Sequence, residues 1–228
     1  MKIRTKGQPG AVLRNKLEQK MVLIWRDSGK YIDAVVTNFQ TLDGLGFEPN
    51  RCVPIPSNLP QISLNIETGG MPNDFFYSFN MFIVSETLKQ LLSGFPIKVE
   101  FRELYVTQKG KPYHGHKFFY ANVLEEVCCF DYENSKYEAT EKGIKGIERL
   151  VLDESKCQGY HFFRVGPIPR KTNRSPKSLR GVIWCVSEEL ATKIHDSGIT
   201  GVTFVRPEDA RKHPAENVAW KPDGQKSS

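Results

Sequence analysis

The sequence has no apolar run long enough to cross a membrane. None of its apolar runs exceeds five residues, as in Met21–Trp25, whereas a membrane-spanning helix needs about 20. The basic N-terminus is followed by neither an apolar stretch nor the small-residue cleavage site of an export signal. These absences lead us to expect a cytoplasmic protein with no membrane partner.

Motifs that assemble an active site are also missing. The sequence contains neither Gly-x-Ser-x-Gly nor the surroundings of a papain-like cysteine, and neither of the glycine-rich loops that cradle phosphates. The neighbouring carboxylates Glu125–Glu126 and Glu188–Glu189 point in different directions on a strand or a helix, so their spacing does not make an acid–base pair. The residues therefore predict a protein that is not an enzyme and uses no cofactor.

A zinc site is the remaining catalytic alternative. His114-Gly-His116 and Cys157-x-x-x-His161 carry ligand types that zinc accepts. Structural zinc sites favour close pairs such as Cys-x-x-Cys, and the sequence has none. His114 and His116 also adjoin a Lys-Gly-Lys-Pro turn, so we interpret them as solvated turn residues. A metal-dependent hydrolase that uses these two histidines stays open as an alternative.

Cysteine is scarce and scattered. The chain has five cysteines, and only Cys128 and Cys129 are close in sequence. Adjacent cysteines do not easily bridge each other, because a disulfide needs Cα atoms about 5.5–6 Å apart. Cys128 and Cys185 lie inside apolar runs, where a free cysteine behaves as a small buried hydrophobe. We expect reduced, buried thiols of the kind found in cytosolic proteins.

Positive charge is concentrated in two parts of the chain. The 228 residues carry a net charge of +6, yet the window from Ser155 to Ser187 alone holds seven basic residues and no acidic one, which leaves −1 for the rest. Residues 1–20 hold six Lys or Arg and one Glu. The window centres on an exposed, proline-punctuated loop, 164–180. The basic residues there that we predict to contact a partner are Arg164, Arg170, Lys171, Arg174, Lys177 and Arg180.

The composition of the basic loop bears on the class of partner. Phosphate contacts need Lys and Arg, and base recognition adds interleaved aromatic side chains. No aromatic residue lies between Val165 and Gly181. We therefore favour an acidic protein surface as the partner, because complementary charges speed encounter and select the partner. The alternative is a nucleic-acid-binding accessory protein that uses the basic loop 164–180.

An internal sequence repeat indicates the fold class. Residues 81–88 (Met-Phe-Ile-Val-Ser-Glu-Thr-Leu) match residues 183–190 (Ile-Trp-Cys-Val-Ser-Glu-Glu-Leu), and each copy continues to Ser-Gly and Val-x-Phe. Each predicts a strand followed by a helix whose N-cap is Ser85 or Ser187, since the hydroxyl accepts from free backbone N–H groups and the next Glu suits the positive helix end. We predict an α+β fold of mixed, mostly antiparallel sheets with a few short helices, including these two strand–Ser–helix units.

The chain divides by composition into three regions. We predict an α+β domain over residues 71–205, preceded by a strand and loop region over 1–70 and followed by a polar tail over 206–228. In the first region, Met21–Arg26 and Tyr31–Phe39 predict the two strands of a hairpin. Residues 133–146 are polar and predict a turn-like connection.

Residues 75–204 resemble a known family in the order and spacing of short motifs. These are Asp74-Phe75, Ile83-Val-Ser-Glu86-x-Leu88, Val99-Glu-Phe101, Tyr120-Ala-Asn122-Val, Ile147-x-x-Leu150-Val-Leu-Asp153, Phe162-Phe-Arg164, Val186-Ser-Glu188-x-Leu190 and Gly198-Ile-Thr-Gly201-Val-Thr-Phe204. They resemble the bacterial immunity proteins encoded beside polymorphic toxins, long catalogued as a domain of unknown function. The basic insert between Arg164 and Val182 departs from the family's usual pattern, and we match no part of residues 1–70.

The resemblance implies a binding protein of bacterial competition. Such an α+β protein would hold a cognate toxin and neutralise it in the producing cell, without catalysis. The basic loop 164–180 and the basic N-terminus are then the expected contact surfaces, because specificity needs distinctive charges and shapes. The sequence names neither the toxin and its activity nor the mode of inhibition and the oligomeric state.

Overall fold

The computed structural model describes residues 21–28, 32–49, 51–140, 143–166, 183–210 and 219–222. The strands in these residues are β1 (Val22–Asp27), β2 (Ala34–Val36), β3 (Ser63–Ile66), β4 (Phe75–Ser78), β5 (Met81–Ser85), β6 (Val99–Glu103), β7 (Tyr105–Gln108), β8 (Lys111–Pro112), β9 (Phe118–Val123), β10 (Glu126–Val127), β11 (Lys136–Thr140), β12 (Gly143–Arg149), β13 (Phe162–Val165), β14 (Trp184–Ser187) and β15 (Val202–Val205). The helices are α1 (Phe39–Gly44), α2 (Glu86–Ser93), α3 (Glu154–Cys157) and α4 (Glu188–Asp196), and a 3₁₀ turn covers Pro207–Asp209.

The strands form mostly antiparallel sheets. In the part of the chain that the structure describes, one sheet has the order β10-β13-β14-β1-β15 and a second has β4-β5-β9-β6. A third sheet has the order β2-β3-β7-β8, and β11 and β12 form a hairpin. Only β3–β7 and β10–β13 are parallel among these pairs. The predicted α+β fold is confirmed.

Two of the sheets repeat one arrangement. In the first unit β4 and β5 pair, α2 follows β5, β6 ends the unit, and β9 lies between β5 and β6. In the second unit β13, β14, α4 and β15 follow in the same order, and β1 lies between β14 and β15. The inserted strand comes after its unit in the first case and before it in the second. The internal sequence repeat therefore corresponds to a repeated fold unit.

The strand registers align the two units residue by residue. Phe101 lies opposite Ala121 on β9, and Phe204 lies opposite Trp25 on β1. At the same position, the first unit has the small Ala121 and the second has the large Trp25. These sizes are complementary, because both sheets face one shared core. The Trp25 indole fills it and contacts rings of both units, with centroids 4.9–5.5 Å away: Phe75, Phe82, Phe162 and Phe204.

The period-two alternation of the central strands separates the cores. On β1, Leu23 and Trp25 point into the shared core, which also receives the apolar faces of α2 and α4, whereas Val22 and Ile24 point to a second cluster. On β5, alternate residues likewise enter the shared core or a third cluster beside α1 and β2-β3-β7-β8. Both central sheets are therefore covered on both faces. Each large apolar side chain so buried contributes about 1.5–3 kcal/mol.

Two local predictions are wrong. Strand β1 does not form a hairpin with β2: β1 pairs with β14 and β15, and β2 pairs with β3. Phe39 begins α1 instead of ending a strand. Residues 133–146 include most of the β11–β12 hairpin rather than a turn-like connection. Charged residues in both strands obscured the strand pattern in the sequence, although Tyr137, Ile144 and Ile147 pack into the second cluster.

The last described segment packs against the second unit. The backbone N–H of Trp220 donates to the Phe204 carbonyl oxygen at 2.7 Å, and the indole ring of Trp220 packs on the Phe204 ring. This tryptophan lies in the predicted polar tail, whose boundary at 206 stays a prediction, as do the other domain boundaries. Among the described residues no helix is long and apolar enough to span a membrane.

Candidate functional site

Asp74, directly before β4, joins the two units. Its Oδ1 accepts from the Ser85 hydroxyl at 2.7 Å, and its Oδ2 accepts from the N–H and hydroxyl of Thr200 at 2.9 and 2.8 Å. Thr200 lies between α4 and β15 of the other unit. The Ser85 oxygen in turn accepts from the Leu88 N–H at 3.2 Å, which makes Ser85 the N-cap of α2.

The backbone closes tightly around this carboxylate. The Phe75 N–H donates to the Thr200 carbonyl, and the next carbonyl, that of Gly201, accepts from Ser28. Gly201 has φ +87°, and a Cβ there would lie 2.1 Å from the Phe75 oxygen. Only glycine fits this approach, because it tolerates positive φ and adds no side chain.

The hydrogen bonds decide the charge state of Asp74. Burial by itself would raise the pKa of Asp74, but the hydrogen bonds from Ser85 and from the N–H and hydroxyl of Thr200 hold that pKa below its ordinary value. Asp74 is therefore a carboxylate at neutral pH. The carboxylate accepts hydrogen bonds from Ser85 and Thr200, and the Asp74 N–H donates to the Thr200 hydroxyl oxygen at 3.0 Å. Asp74 therefore joins β4, α2 and the end of α4.

Ser187 is the matching cap in the second unit, and a histidine takes the place of the aspartate. The Ser187 oxygen accepts from the Leu190 N–H at 3.2 Å, and its hydroxyl lies 2.9 Å from His161 Nδ1. Glu189 Oε2 approaches the same nitrogen at 3.9 Å. A serine hydrolase contacts serine through one ring nitrogen and its carboxylate through the other. The Ser187–His161 pair therefore lacks the arrangement that activates a nucleophile.

The basic loop begins beside two separate ion pairs. The Arg164 guanidinium at the end of β13 pairs with Glu126, and Lys98 Nζ lies 2.9 Å from Glu125. The neighbouring carboxylates thus serve different cations, as their directions on a strand predict. The Arg164 side chain is 20% exposed, so it anchors the start of the loop and is not one of its freely solvated cations.

The other predicted loop contacts, Arg170, Lys171, Arg174, Lys177 and Arg180, lie outside the described residues. The described residues on either side of 167–182 lie close together, because the Val165 N–H donates to the Ile183 carbonyl at 2.9 Å. Its contact role stays a prediction.

The zinc ligands considered from the sequence have other surroundings. His114 and His116 are exposed, the Cys157 thiol donates to the Asp153 carbonyl at 3.4 Å, and His161 contacts Ser187. Across the described ranges, no group of three or more His, Cys, Asp or Glu side chains is arranged to hold a metal ion.

The five cysteines are free thiols, and three of them share one apolar cluster: Cys129, Cys157 and Cys185. Burial raises the pKa of Cys185 well above its ordinary value, and the hydrogen bond with Cys157 together with burial raises that of Cys129. Cys128, expected to be buried, is only half-buried. Cys129 and Cys185 are therefore poor nucleophiles, whereas the hydrogen bond with Cys129 lowers the pKa of Cys157.

Sequence reasoning missed one buried polar residue that positions a loop. Asn122 on β9 donates to the Val53 carbonyl at 2.7 Å and to Glu100 Oε2 at 3.2 Å. Glu100 also accepts from the Ile55 N–H at 2.7 Å. These bonds hold residues 53–56, a segment with two prolines between α1 and β3, against the edge strand β6. The sequence signal that could have identified Asn122 was its amide within the otherwise apolar stretch 118–124, because a buried polar group requires hydrogen-bond partners.

Comparison with known proteins assigns the family. The sequence matches an immunity protein family, Imm11, over residues 25–209. No curated protein matches it significantly. The match begins earlier than the resemblance over 75–204, and it includes the second half of β1, the strand that completes the second unit. The chain belongs to the Imm11 immunity protein family.

Proposed function

We propose that this protein binds a cognate bacterial toxin in the cytoplasm of the producing cell and neutralises it without catalysis. The observation that carries this proposal is the family match over residues 25–209. The geometry of the serines supports it, because Ser85 and Ser187 are both buried and engaged as helix caps. The two serines that precede a glutamate are thereby occupied in holding the fold.

The basic loop 164–180 and the basic N-terminus are the proposed contacts with an acidic toxin surface. Arg164 would fix the first residues of the loop through its ion pair with Glu126. The cations that follow, Arg170, Lys171, Arg174 and Lys177, would then approach the toxin. Charge so concentrated raises the rate of encounter and makes it sensitive to salt.

The test uses the purified C-terminal domain of the toxin encoded beside the gene for this protein. We expect binding by calorimetry and rescue of growth when the two are co-expressed. Reversal of the four loop cations, Arg170→Glu, Lys171→Glu, Arg174→Glu and Lys177→Glu, should slow association at least ten-fold at low salt and remove most of its salt dependence. Absence of binding and of rescue by the wild-type chain would overturn the proposed function.

Nucleic acid provides the second arm of this test. Mixed-sequence DNA and RNA are titrated with the wild-type protein across a salt series. A phosphate binder loses affinity steeply as salt rises, with a slope set by the number of phosphates that it contacts. If the protein binds either nucleic acid with an affinity that falls steeply as salt rises, and does not bind the toxin, the alternative replaces the proposed function.

A further inference from the structure

The β7–β8 hairpin presents a further basic surface, well separated in sequence from the basic loop and from the basic N-terminus. Residues 104–124 contain three lysines, two histidines and no acidic residue. Lys109 and Lys111 flank Gly110 at the tip, where the Gln108–Lys111 pair closes a two-residue turn. Both lysines are exposed, and neither ammonium lies within 4.0 Å of a carboxylate of any described residue.

The tip is held rigidly by its neighbours. Asn65 Oδ1 accepts from the Gly110 N–H at 3.0 Å and from the Thr107 hydroxyl at 2.7 Å. The Gln108 amide donates to the Thr68 and Gly70 carbonyls at 2.9 and 2.8 Å. A rigid tip presents its charges without a large loss of conformational freedom on binding.

Lys109 has a backbone conformation that its side chain disfavours. Its φ is +50° and that of Gly110 is +75°, as in the type I′ turns whose first position favours Asn, Asp or Gly. Left-handed φ angles cost an ordinary residue about 1–2 kcal/mol. A lysine is therefore a poor choice for the turn itself.

The other described non-glycine residues with positive φ have contacts that account for them. Phe79 stacks on Phe39 with centroids 4.8 Å apart, the Cys52 thiol lies 3.9 Å from the Glu125 carbonyl oxygen, and Asn80 is a residue type that tolerates this region. The Lys109 backbone N–H donates to the Ile66 carbonyl at 2.9 Å, but its ammonium lies beside Gly69 and forms no ion pair with the described residues. The lysine side chain therefore gains no ion pair within the described residues in return for the strained backbone, and side chains of this kind are expected at functional sites.

An exposed sheet face adjoins this tip. Val106 and Leu64 point into the third core cluster, so their neighbours Tyr105 and Thr107 on β7 face outwards with Val35 on β2. Tyr105 is 48% exposed and Val35 is 38% exposed. An exposed tyrosine is typical of interface anchors, since it offers apolar area and a hydroxyl at low entropic cost.

We propose that Tyr105, Lys109 and Lys111, which we call the hairpin surface, bind an acidic face of the cognate toxin. This inference rests on the proposed function and adds a contact that is independent of the basic loop. The lysines at the hairpin tip pair with toxin carboxylates, while Tyr105 packs against the toxin on the outward face of β7. The strained lysine is retained because its charge is worth more to the complex than to the fold.

The test compares two variants with the wild-type chain in binding to the purified toxin C-terminal domain. Lys109→Glu with Lys111→Glu should weaken binding about ten-fold or more and slow association at low salt. The single variant Lys109→Asn should raise the midpoint of urea unfolding, because asparagine tolerates this turn position, and should at the same time weaken binding several-fold. A residue with a purely structural role would not move stability and affinity in opposite directions.

The matched control is Lys136→Glu with Lys193→Glu, which changes the charge equally at two exposed lysines of β11 and α4. It should change affinity less than three-fold. Equal binding by the hairpin double variant and the wild type, or an equal loss in the control, would overturn the hairpin surface alone. A wild-type chain that does not bind the toxin overturns the proposed function and the hairpin surface with it, and a hairpin effect confined to mixed-sequence DNA or RNA assigns the surface to nucleic acid instead.

Discussion

Asp74 Oδ2 accepts two hydrogen bonds from Thr200, a residue 126 positions later in the chain. The other carboxylate oxygen holds the Ser85 hydroxyl, so one side chain connects the cap of α2 to the turn after α4. Both partners belong to motifs that carry the family resemblance. Their proximity explains how two repeated units, each with its own sheet, are joined at one defined position.

Removal of the Asp74 carboxylate should destabilise the fold. Asp74→Ala leaves the Ser85 hydroxyl and both Thr200 donors without their acceptor, and hydrogen bonds to a charged group contribute about 1.5–3 kcal/mol. We expect the free energy of unfolding, measured by urea denaturation, to fall by about 2–3 kcal/mol. The control Asp43→Ala changes an exposed carboxylate on α1 and should cost less than about 0.5 kcal/mol. Equal losses in both variants would refute the joining role of Asp74.

The same carboxylate should make stability depend on pH in the acid range. The pKa of Asp74 is lower in the folded protein than its ordinary value of 3.8, so the unfolded chain takes up the proton first as pH falls. The contribution of Asp74 is then complete above pH 4 to 5 and is lost as pH falls through the folded pKa. The stability difference between wild type and Asp74→Ala, measured by urea denaturation, should be constant from about pH 5 to 7 and shrink below about pH 4. A difference that grows with acidity would contradict the pKa direction.

Two glycines near Thr200 should respond very differently to a methyl group. Gly201→Ala places a Cβ against the Phe75 carbonyl, and Gly198→Ala meets no atom within 4 Å at a similar positive φ of +67°. We expect a loss of about 1 kcal/mol at Gly198, from backbone conformation alone. The Gly201 variant should lose more than about 3 kcal/mol or fail to fold. Thermal unfolding of both proteins measures this, and similar midpoints would show that the close approach is not needed.

The helix caps should contribute similar stability in the two units. Ser85→Ala and Ser187→Ala each remove the acceptor for an N–H in the first turn, which costs about 1 kcal/mol. Ser85→Ala should cost more, because Asp74 loses a donor as well. Ser93→Ala, at the exposed end of α2, is the control and should be nearly neutral in urea denaturation. A neutral Ser187→Ala would show that His161 or solvent replaces its cap.

The thiols should divide into two classes. Cys52 and Cys128 are half-buried, and Cys129, Cys157 and Cys185 are buried in one cluster. In the native protein we expect no more than two thiols to react with an aromatic disulfide reagent within minutes, and all five after unfolding in guanidinium chloride. Fewer than five reactive thiols in the unfolded, unreduced protein would reveal a disulfide.

Local pattern was enough to predict the repeated part of the fold. The Ser-Glu pairs after two apolar strands indicate α2 and α4, because capping and the helix dipole act within a single turn. The strand over Ile62–Ile66 follows equally from its alternation, and β3 covers Ser63–Ile66. Basic residues such as Arg164 could be recognised, but their ion pairs could not, because Glu126 lies in a different strand of a parallel pair.

Long-range pairing determined the rest. The apolar run of β1 predicts a strand but not its neighbours, and the structure places it between β14 and β15 rather than beside β2. Strand partners depend on which buried faces fit together, and Trp25 fits only where the opposite unit supplies rings around it.

The sequence by itself determined the class of the protein. It is an α+β chain with positive charge concentrated in a few segments, with two Ser-capped units and without the common catalytic motifs. Those features are short-range or compositional, so neighbouring residues suffice to specify them. Tertiary structure decided that the two units share one aromatic core, that Asp74 joins them through Thr200, and that a strained lysine stands at the hairpin tip. These relationships require residues far apart in the chain to meet, and they follow from packing of buried surfaces rather than from local preference.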